Sequence, residues 1–316
     1  MNDVRAPVVV VGVPVWRSAA FVDETLRSVL AQDGVALRVI ISVDGADEAS
    51  AAACEPFLRD PRVKLRVQPS RLGWVGNCAT VLGAAAAETA DYACLQPHDD
   101  IMDNTYLASL LAVAEATPKA AVVYSDIRGF GNLDMLIHQP SVVGSPVARM
   151  ATLLTHHFNA VAFRGLTRVS ALRAVKPISG NPFDDFAADT IWMARLASVG
   201  DLVCVPRSLY RKRYHGGNTH GAWERWPRDR QIAAWMAHCL GMLVEAMTLP
   251  TDTASRNVLV EAARVRLLQS GGTPMIFHRV LATLAPKERE RLLSEFDAAV
   301  AQLDRPTSSP DAPSPS

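Results

Sequence analysis

Two adjacent carboxylates, Asp99 and Asp100, come shortly after an apolar segment at residues 92–96 that reads as a buried strand. Neighbouring acids repel each other, so a strand end that carries two of them usually has a cation or a donor-rich ligand close by. In α/β folds the carboxyl ends of the strands are the place where ligands bind. A solvated acidic loop would contain the same residues. This motif alone therefore leaves a metal site and a surface loop equally open.

The composition excludes several classes of partner. Lys plus Arg and Asp plus Glu number 32 each, so the chain of 316 residues has no net charge. Such a balance provides no basic field that would attract nucleic acid or anionic lipid. Hydrophobic residues make up 49% and charged residues 20%, which is an ordinary globular composition. The length allows one large domain or two modest ones.

The cysteines and the apolar segments indicate a cellular compartment. The five cysteines are scattered without metal-ligand spacing and lie mostly in apolar runs, which predicts reduced core residues: Cys54, Cys78, Cys94, Cys204 and Cys239. The first residues do not have the pattern of a signal peptide. No segment reaches the ~18 uninterrupted apolar residues that a membrane-spanning helix needs. We therefore expect a cytoplasmic protein, and peripheral contact with the inner face of a membrane is left open.

The first half of the chain alternates between two hydrophobic patterns. Continuous apolar, β-branched runs predict buried strands at residues 7–13, 37–43, 63–67, 92–96 and 120–124. Apolar residues at helical spacing predict helices at 21–32, 47–58, 75–87 and 106–116. This alternation predicts a mostly parallel sheet that is covered by helices on both faces.

The pattern loosens after Asp126. We expect a loop with short extended pieces at 127–150, strands at 158–163 and 202–205, and a helix at 189–198. Further helices are predicted at 228–248, 254–269, 275–284 and 286–303. Residues 305–316 are too polar and proline-rich to pack, which predicts disorder.

The ends of the first two strands limit the choice of cofactor. The first strand is followed neither by G-x-G-x-x-G nor by a P-loop lysine, which argues against hydride transfer and ATP hydrolysis. The second strand ends in Asp44-Gly45. This carboxylate could accept a hydrogen bond from a nucleotide base while the glycine leaves room for the ring. A simple turn would explain the same dipeptide.

An ordered series of segments carries a family resemblance. Pro14, residues 21–32, 42–45 and 73–77, and His98-Asp99-Asp100 together resemble the family 2 glycosyltransferases of the GT-A fold. The resemblance covers about the first 125 residues and continues more weakly through three later segments: Phe163-Arg164-Gly165, Ala188-Asp189 and residues 211–220. It implies a GT-A-type, mostly parallel sheet flanked by helices, with a C-terminal helical extension.

The resemblance also implies a division of the chain. Residues 1–225 would form the glycosyltransferase domain, with a nucleotide-sugar-binding half at 1–125 and an acceptor half at 126–225. Residues 226–304 would form the helical C-terminal region. For residues 228–303 the sequence leaves three roles open: acceptor binding, pairing of subunits and contact with a membrane.

On the donor side, the resemblance implies nucleotide binding by Pro14, Asp44, Asn77 and Asp99. Asp100 matches the acid that binds Mg²⁺ or Mn²⁺. His98 departs from the pattern, because the family usually has an acid there. We therefore expect a second metal ligand from a later loop, with His215 as the first candidate and His220 as the alternative. Arg211, Lys212 and Arg213 could help to neutralise the leaving group, although basic residues at a strand end are commonly just solvated.

On the acceptor side, the resemblance implies that Asp189 is the catalytic base, with Ala188 in place of the usual first acid. Asp185 is the substitute base and a candidate for acceptor binding. Arg164 and Gly165 match a segment that lines the acceptor. Purely structural roles would explain the same residues. Asp189 could be a favourable charge in the first turn of a helix, and Arg164 and Gly165 could form a buried turn.

The implied reaction is metal-dependent, inverting transfer of a sugar from a nucleoside diphosphate, with uridine favoured, to a glycan, a lipid-linked or another small acceptor. The setting would be polysaccharide biosynthesis, and a homo-oligomer is left open. Two rival functions remain at this point. Pro97-His98-Asp99-Asp100 also resembles the zinc motif of sugar deacetylases. The departures at His98 and Ala188 would suit a sugar-nucleotide-binding protein that has lost catalysis.

Overall fold

The computed structural model describes residues 5–156, 160–218, 220–268 and 278–303, and within them one mixed sheet of nine strands forms the centre of the protein. The strand order is β3-β2-β1-β4-β8-β6-β9-β5, and β7 pairs with β6 at the side. The strands are β1 (Val8–Val15), β2 (Ala36–Val43), β3 (Val63–Val67), β4 (Tyr92–Leu95), β5 (Ile101–Met102), β6 (Ala120–Gly131), β7 (Leu136–Ile137), β8 (Leu166–Arg168) and β9 (Asp201–Tyr214).

Twelve α-helices accompany the sheet in the described part of the chain. They are α1 (Val22–Leu30), α2 (Glu48–Cys54), α3 (Gly73–Ala87), α4 (Tyr106–Ala116), α5 (Pro146–Thr155), α6 (Val169–Ala174), α7 (Ala188–Val199), α8 (His220–Trp223), α9 (Arg228–Met247), α10 (Thr253–Leu268), α11 (His278–Ala282) and α12 (Pro286–Leu303). None of the helices in these residues is long and apolar enough to cross a membrane.

The first half of the sheet is parallel because each strand returns through a helix. β1 pairs in parallel with both β2 and β4, and β2 pairs in parallel with β3. Seven of the eight residues of β1 are buried, as its run of valines predicts. α3 lies very close to this strand, since a Cβ at Gly12 would stand 2.8 Å from the Val81 side chain. The carboxyl ends of these strands consequently meet along one edge.

The second half of the sheet brings the acidic motif to a long strand. β8 inserts antiparallel between β4 and β6, while β6 and β9 run parallel. The two residues of β5, which follow Asp99 and Asp100 directly, pair antiparallel with Tyr210 and Arg211 of β9. This short pairing holds the acids against the last residues of β9, which are far away in the sequence.

The C-terminal helices pack on the second half of the sheet domain. α9 contacts α7, and α10 contacts both α5 and α9. Trp235, Met242 and Leu243 of α9 are fully buried at this contact. The predicted helices at 228–248 and 286–303 are confirmed to within one residue.

Three predictions about local structure are wrong in part. The strand predicted at 158–163 is wrong at residues 161–163, which belong to a 3-10 helix, Val161–Arg164. Residues 158 and 159 lie outside the described part. The predicted loop at 127–150 contains the end of β6 and the start of α5. The strand predicted at 202–205 continues to Tyr214, so the basic segment before His215 lies inside β9. The predicted disordered tail also falls outside the described residues.

Candidate active site

Asp100 lies at the centre of a cluster of polar side chains at the end of β4. It is only 1% exposed, and both of its oxygens accept hydrogen bonds. Oδ2 accepts from Arg164 Nε at 2.8 Å and from the Tyr210 hydroxyl at 3.2 Å, and Oδ1 accepts from the Arg213 backbone N–H at 2.9 Å. The charge of Asp100 is therefore balanced by a guanidinium, and its lone pairs face protein donors.

Arg164 is held from both ends. Its carbonyl oxygen accepts from the Tyr106 hydroxyl at 2.9 Å and from Cys94 Sγ at 3.1 Å, and its Nε donates to Asp100. The side chain is 15% exposed. Its two terminal nitrogens have no hydrogen-bond partner among the described residues. Gly165, the next residue, is packed so tightly that a Cβ there would stand 2.6 Å from the Val123 carbonyl oxygen.

Asp99 faces the loop that follows β9. Its Oδ2 is 2.9 Å from His215 Nε2 and 3.4 Å from Asn218 Nδ2. The Gly217 backbone N–H donates to His215 Nδ1 at 3.2 Å, so this nitrogen is an acceptor and the proton of the neutral ring sits on Nε2. The His215 ring also lies 4.8 Å from the Phe21 ring. His215 and Asn218 of this loop thus both reach the acidic motif, and metal binding by His215 stays a prediction. For His220 the description stops at the backbone.

His98, which departs from the family pattern, ties two strand ends together. Its Nδ1 is 3.0 Å from the carbonyl oxygen of Pro14, so this nitrogen donates the hydrogen bond. Its own carbonyl accepts from the hydroxyls of Ser18 and Thr25. The histidine therefore fixes Pro14 at the end of β1 next to the acidic motif.

Asp44 follows the end of β2 and Asn77 lies in the first turns of α3, and the side chains of both are used by the protein. Asp44 is 1% exposed and accepts from the backbone N–H groups of Leu72 at 2.6 Å and Gly73 at 3.0 Å, at the start of α3. Asn77 is 2% exposed and donates to the Ser42 carbonyl oxygen at 2.9 Å. Contact of either side chain with a nucleotide stays a prediction, and the bonds present give both a structural role.

Asp189 lies half-buried in the first turn of α7, and the charges of Arg164 and Lys212 act on its carboxyl group. Burial raises the pKa of its carboxyl group, and the charges of Arg164 and Lys212 oppose that rise. Its Oδ1 accepts from the Thr190 backbone N–H at 2.9 Å. The chain enters α7 through Asp184, Asp185 and Ala187, whose φ angles of 45°, 58° and 50° are unusual for residues with a Cβ. A strained entry of this kind positions a helix start closely.

Asp185, the substitute base, closes the turn in front of α7. Its Oδ1 accepts from the Asn181 backbone N–H at 3.0 Å. A Cβ at Gly180 would stand 2.3 Å from the same oxygen, so this turn has no room for a side chain at that position. The contacts of Asp185 are thus local, and its role toward the acceptor stays a prediction.

From the sequence, Lys212 is not distinguished from its basic neighbours Arg211 and Arg213. The alternation of β9 places it on the same side of the strand as Tyr210 and Tyr214, and its ammonium lies 4.8 Å from the centre of the Tyr214 ring. Burial and the nearby Arg164 charge lower the pKa of Lys212 to about 8. Among the described residues no carboxylate forms an ion pair with it. A half-buried ammonium without an ion pair is the strongest indication that an anionic ligand binds to this cluster of polar side chains.

The predicted divalent-cation site does not fit these residues as they stand. Both oxygens of Asp100 accept from protein donors, and His215 Nε2 turns its proton toward Asp99. Within the part of the chain that the structure describes, no three His, Cys, Asp or Glu side chains are grouped so that they could hold a metal ion. Metal binding by Asp100 and His215 stays a prediction that would require Arg164 to move.

A protein-family model described as glycosyl transferase family 2 matches residues 10–175, just over half of the chain. The matched residues include the parallel strands, the acidic motif and Arg164. No curated protein sequence matches the chain.

Solved structures with the same fold have little sequence identity to this chain. Staphylococcus aureus TarS 1-349 in complex with UDP has a TM-score of 0.65 and 14% identity, over 93% of this chain and 81% of that one. The UDP-GlcNAc complex of TarS 1-349 also has a TM-score of 0.65 and 14% identity, over 92% and 81%. The mannosyltransferase PcManGT from Pyrobaculum calidifontis, in complex with GDP-Man and Mn²⁺, has a TM-score of 0.57 and 15% identity, over 95% and 81%.

The likeness to these structures concerns the fold. The family match covers Asp99, Asp100 and Arg164 and ends before Asp189, Lys212 and His215. It leaves the zinc-dependent deacetylase and the binding protein without catalysis unsupported. The chain belongs to glycosyltransferase family 2 and is a glycosyltransferase with the GT-A fold.

Proposed function

We propose that this enzyme transfers a sugar from a nucleoside diphosphate to a hydroxyl group of a glycan, a lipid-linked or another small acceptor, with inversion at the anomeric carbon and with Asp189 as the base. One observation carries the proposal. Asp189 and Asp100 come from α7 and from the end of β4, yet the charges of Arg164 and Lys212 act on both. Two acids from distant parts of the chain therefore lie near the same two cations.

Inverting transfer requires a base on the side of the sugar that faces away from the leaving group. The acceptor oxygen attacks the anomeric carbon, its proton passes to the Asp189 carboxylate, and the bond to the diphosphate oxygen breaks. The electron pair of that bond leaves with the nucleoside diphosphate. Because burial raises the pKa of Asp189, its carboxylate is a better proton acceptor than an exposed aspartate.

The structures of similar fold support a nucleoside diphosphate donor. TarS is in complex with UDP and with UDP-GlcNAc, and PcManGT is in complex with GDP-Man. We favour uridine as the base. Pro14 and Asp44 lie at the strand ends where the base and the ribose would bind, and Asn77 of α3 bonds to the Ser42 carbonyl oxygen near the end of β2. Asp99 follows the end of β4.

A divalent ion is supported by the Mn²⁺ in the mannosyltransferase structure. When bound, Mg²⁺ or Mn²⁺ would neutralise charge on the diphosphate. In this chain Asp99, with His215 beside it, offers the more open oxygen, whereas Asp100 would first have to release Arg164. The steps proposed above need only the side chains of the protein.

Asp189→Asn tests the assignment of the base. A panel of UDP- and GDP-sugars is first screened by thermal shift, and transfer is then measured with the stabilising donor. We expect the variant to bind the donor as the wild type does and to lose about a hundredfold or more in transfer rate, the range of one general base. Asp229→Asn, at an exposed site in α9, is the matched control. Transfer at the wild-type rate in Asp189→Asn would reject this role, and a chain that binds no donor would reject the proposed function.

A further inference from the structure

We propose that Arg164 and Lys212 supply the positive charge that binds and stabilises the donor's diphosphate, and that Asp100 is a positioning residue for Arg164. This inference rests on the proposed function and deepens it. It follows from three features of the polar cluster: the buried carboxylate of Asp100 paired with arginine, the unused donors of the Arg164 guanidinium, and the ammonium of Lys212 without an ion pair.

The buried acid is Asp100. Three protein donors bond to its two oxygens, and the nearest charge is Arg164 Nε at 2.8 Å from Oδ2. A cation at Oδ2 would have to take the place of the guanidinium, and one at Oδ1 would have to share that oxygen with the Arg213 N–H. Because Asp100 is 1% exposed, it cannot turn outward without giving up all three bonds. The carboxylate is therefore built into the protein as the counter-ion of Arg164.

The guanidinium of Arg164 still has donors to offer. A guanidinium carries five N–H groups, and only the Nε–H is used within the described residues. The two terminal NH₂ groups form a planar fork that matches two oxygens of a phosphate. Tyr106 fixes the backbone carbonyl and Asp100 accepts from Nε, so both the backbone and the fork are held in place before a ligand arrives. Preorganised donors of this kind stabilise charge that builds up in a transition state.

The ammonium of Lys212 lies 4.8 Å from the centre of the Tyr214 ring, and the charge of Arg164 acts on it. The charges of Asp100, Asp189 and Asp99 also act on Lys212, but none of these acids forms an ion pair with it within the described residues. A half-buried ammonium without an ion pair is unfavourable unless an anion binds to it. A diphosphate is the anion that the proposed reaction brings to this place. As the glycosidic bond breaks, negative charge builds on its oxygens, and both cations are present to balance it.

Binding of UDP and GDP, measured by isothermal titration calorimetry in EDTA and in MnCl₂, tests the inference. We expect the wild type to bind one of the two in EDTA, and Mn²⁺ to change that affinity by only about twofold, the size of a minor surface effect. Lys212→Met should weaken binding about tenfold or more, while binding of the uncharged nucleoside stays unchanged. Arg207→Met, an exposed arginine on the same strand, is the matched control and should bind as the wild type does.

Asp100→Asn separates positioning from metal binding. The amide keeps an oxygen for Arg164, so we expect binding in EDTA within about threefold of the wild type, whereas Asp100→Ala should lose about tenfold or more. The double variant Arg164→Met/Asp100→Asn avoids an unpaired buried acid and should lose diphosphate binding.

Three outcomes would contradict the inference or the role of one of its residues. Binding only in the presence of Mn²⁺, with Asp100→Asn abolishing it, would overturn the inference and leave the proposed function standing. Absence of binding with and without Mn²⁺ would overturn both. Undiminished diphosphate binding by Lys212→Met would also overturn the role of that residue.

Discussion

At the scale of single residues, the site depends on charges that lie in a common crevice but come from distant parts of the chain. Asp100 pairs with Arg164, 64 positions later, and accepts from the Arg213 backbone. Asp99 pairs with His215. From its residue types, the acidic motif was expected to have a cation or a donor-rich ligand beside it, and a metal site was left open against a surface loop. Within the described residues an arginine of the protein itself pairs with Asp100. A pairing of this kind cannot be read from spacing, because it depends on the fold.

The ammonium of Lys212 makes nucleotide binding sensitive to alkaline pH. The pKa of Lys212 is about 8, so the free protein loses this charge as the pH rises through that value. A bound diphosphate favours the charged form, since it adds an opposite charge next to Arg164 and the acids Asp99, Asp100 and Asp189. Affinity for UDP or GDP should therefore fall about twofold between pH 7 and 8, above the phosphate ionisation near ~6, and then by up to about tenfold per pH unit.

Calorimetric titrations at several pH values between these limits and about pH 9.5 would measure this dependence. Lys212→Met should give a flat profile over the same interval, because it lacks the titrating group. A wild-type profile as flat as that of the variant would show that the ammonium does not contact the ligand.

At the scale of secondary-structure elements, close backbone contacts position the cations. Gly165 links the 3-10 helix that carries Arg164 to β8, and a Cβ at this glycine would stand 2.6 Å from the Val123 carbonyl oxygen of β6. Gly165→Ala should therefore push the two elements apart and lower the free energy of unfolding by about 1–3 kcal/mol, the usual cost of overpacking. The same shift should weaken nucleotide binding, because Arg164 precedes the glycine directly.

Urea unfolding of Gly165→Ala and Gly83→Ala provides a matched comparison. Gly83 lies exposed within α3, and a Cβ there would meet nothing within 4 Å. Its replacement should stabilise the protein by up to about 1 kcal/mol, since alanine is the better helix former. Equal stability of the two variants would mean that the packing around Gly165 can relax.

The elements themselves were predictable where they are long and periodic. α4 has the predicted bounds, and β1 to β4 lie within two residues of theirs, because valine-rich runs and helical spacing are strong local signals. β5 and β8 have two and three residues, too few for a period, and their antiparallel pairing is decided by tertiary contacts. These two short strands are the ones that bring the acids to β9 and Arg164 to the acids. The residue types of the site could thus be predicted from the sequence, but the contacts between these residues could not.

At the scale of the whole molecule, the C-terminal helices contribute to the same core as the sheet. Arg266 of α10 is 1% exposed, and its Nη1 donates to the carbonyl oxygens of Leu153 at 3.0 Å and His156 at 3.4 Å, at the end of α5. Its Nη2 is 3.1 Å from His238 Nε2 of α9. A single side chain therefore joins α5, α9 and α10. The charge suits this place, because the end of a helix carries partial negative charge and unpaired carbonyls.

Arg266→Met should consequently destabilise the whole protein. The methionine fills part of the space but leaves the buried carbonyls of α5 without donors, at a cost of about 1–3 kcal/mol in the free energy of unfolding. Burial lowers the pKa of Arg266, so relief of its desolvation offsets some of that cost. Arg264→Met is the control, since this arginine is 39% exposed and its surface ion pairs contribute about 0–1 kcal/mol. Because α10 packs on α5, we expect one cooperative transition for the sheet and the C-terminal helices, shifted to lower urea in Arg266→Met. Separate transitions, with only the helical one shifted, would mean that residues 226–304 fold as a unit of their own.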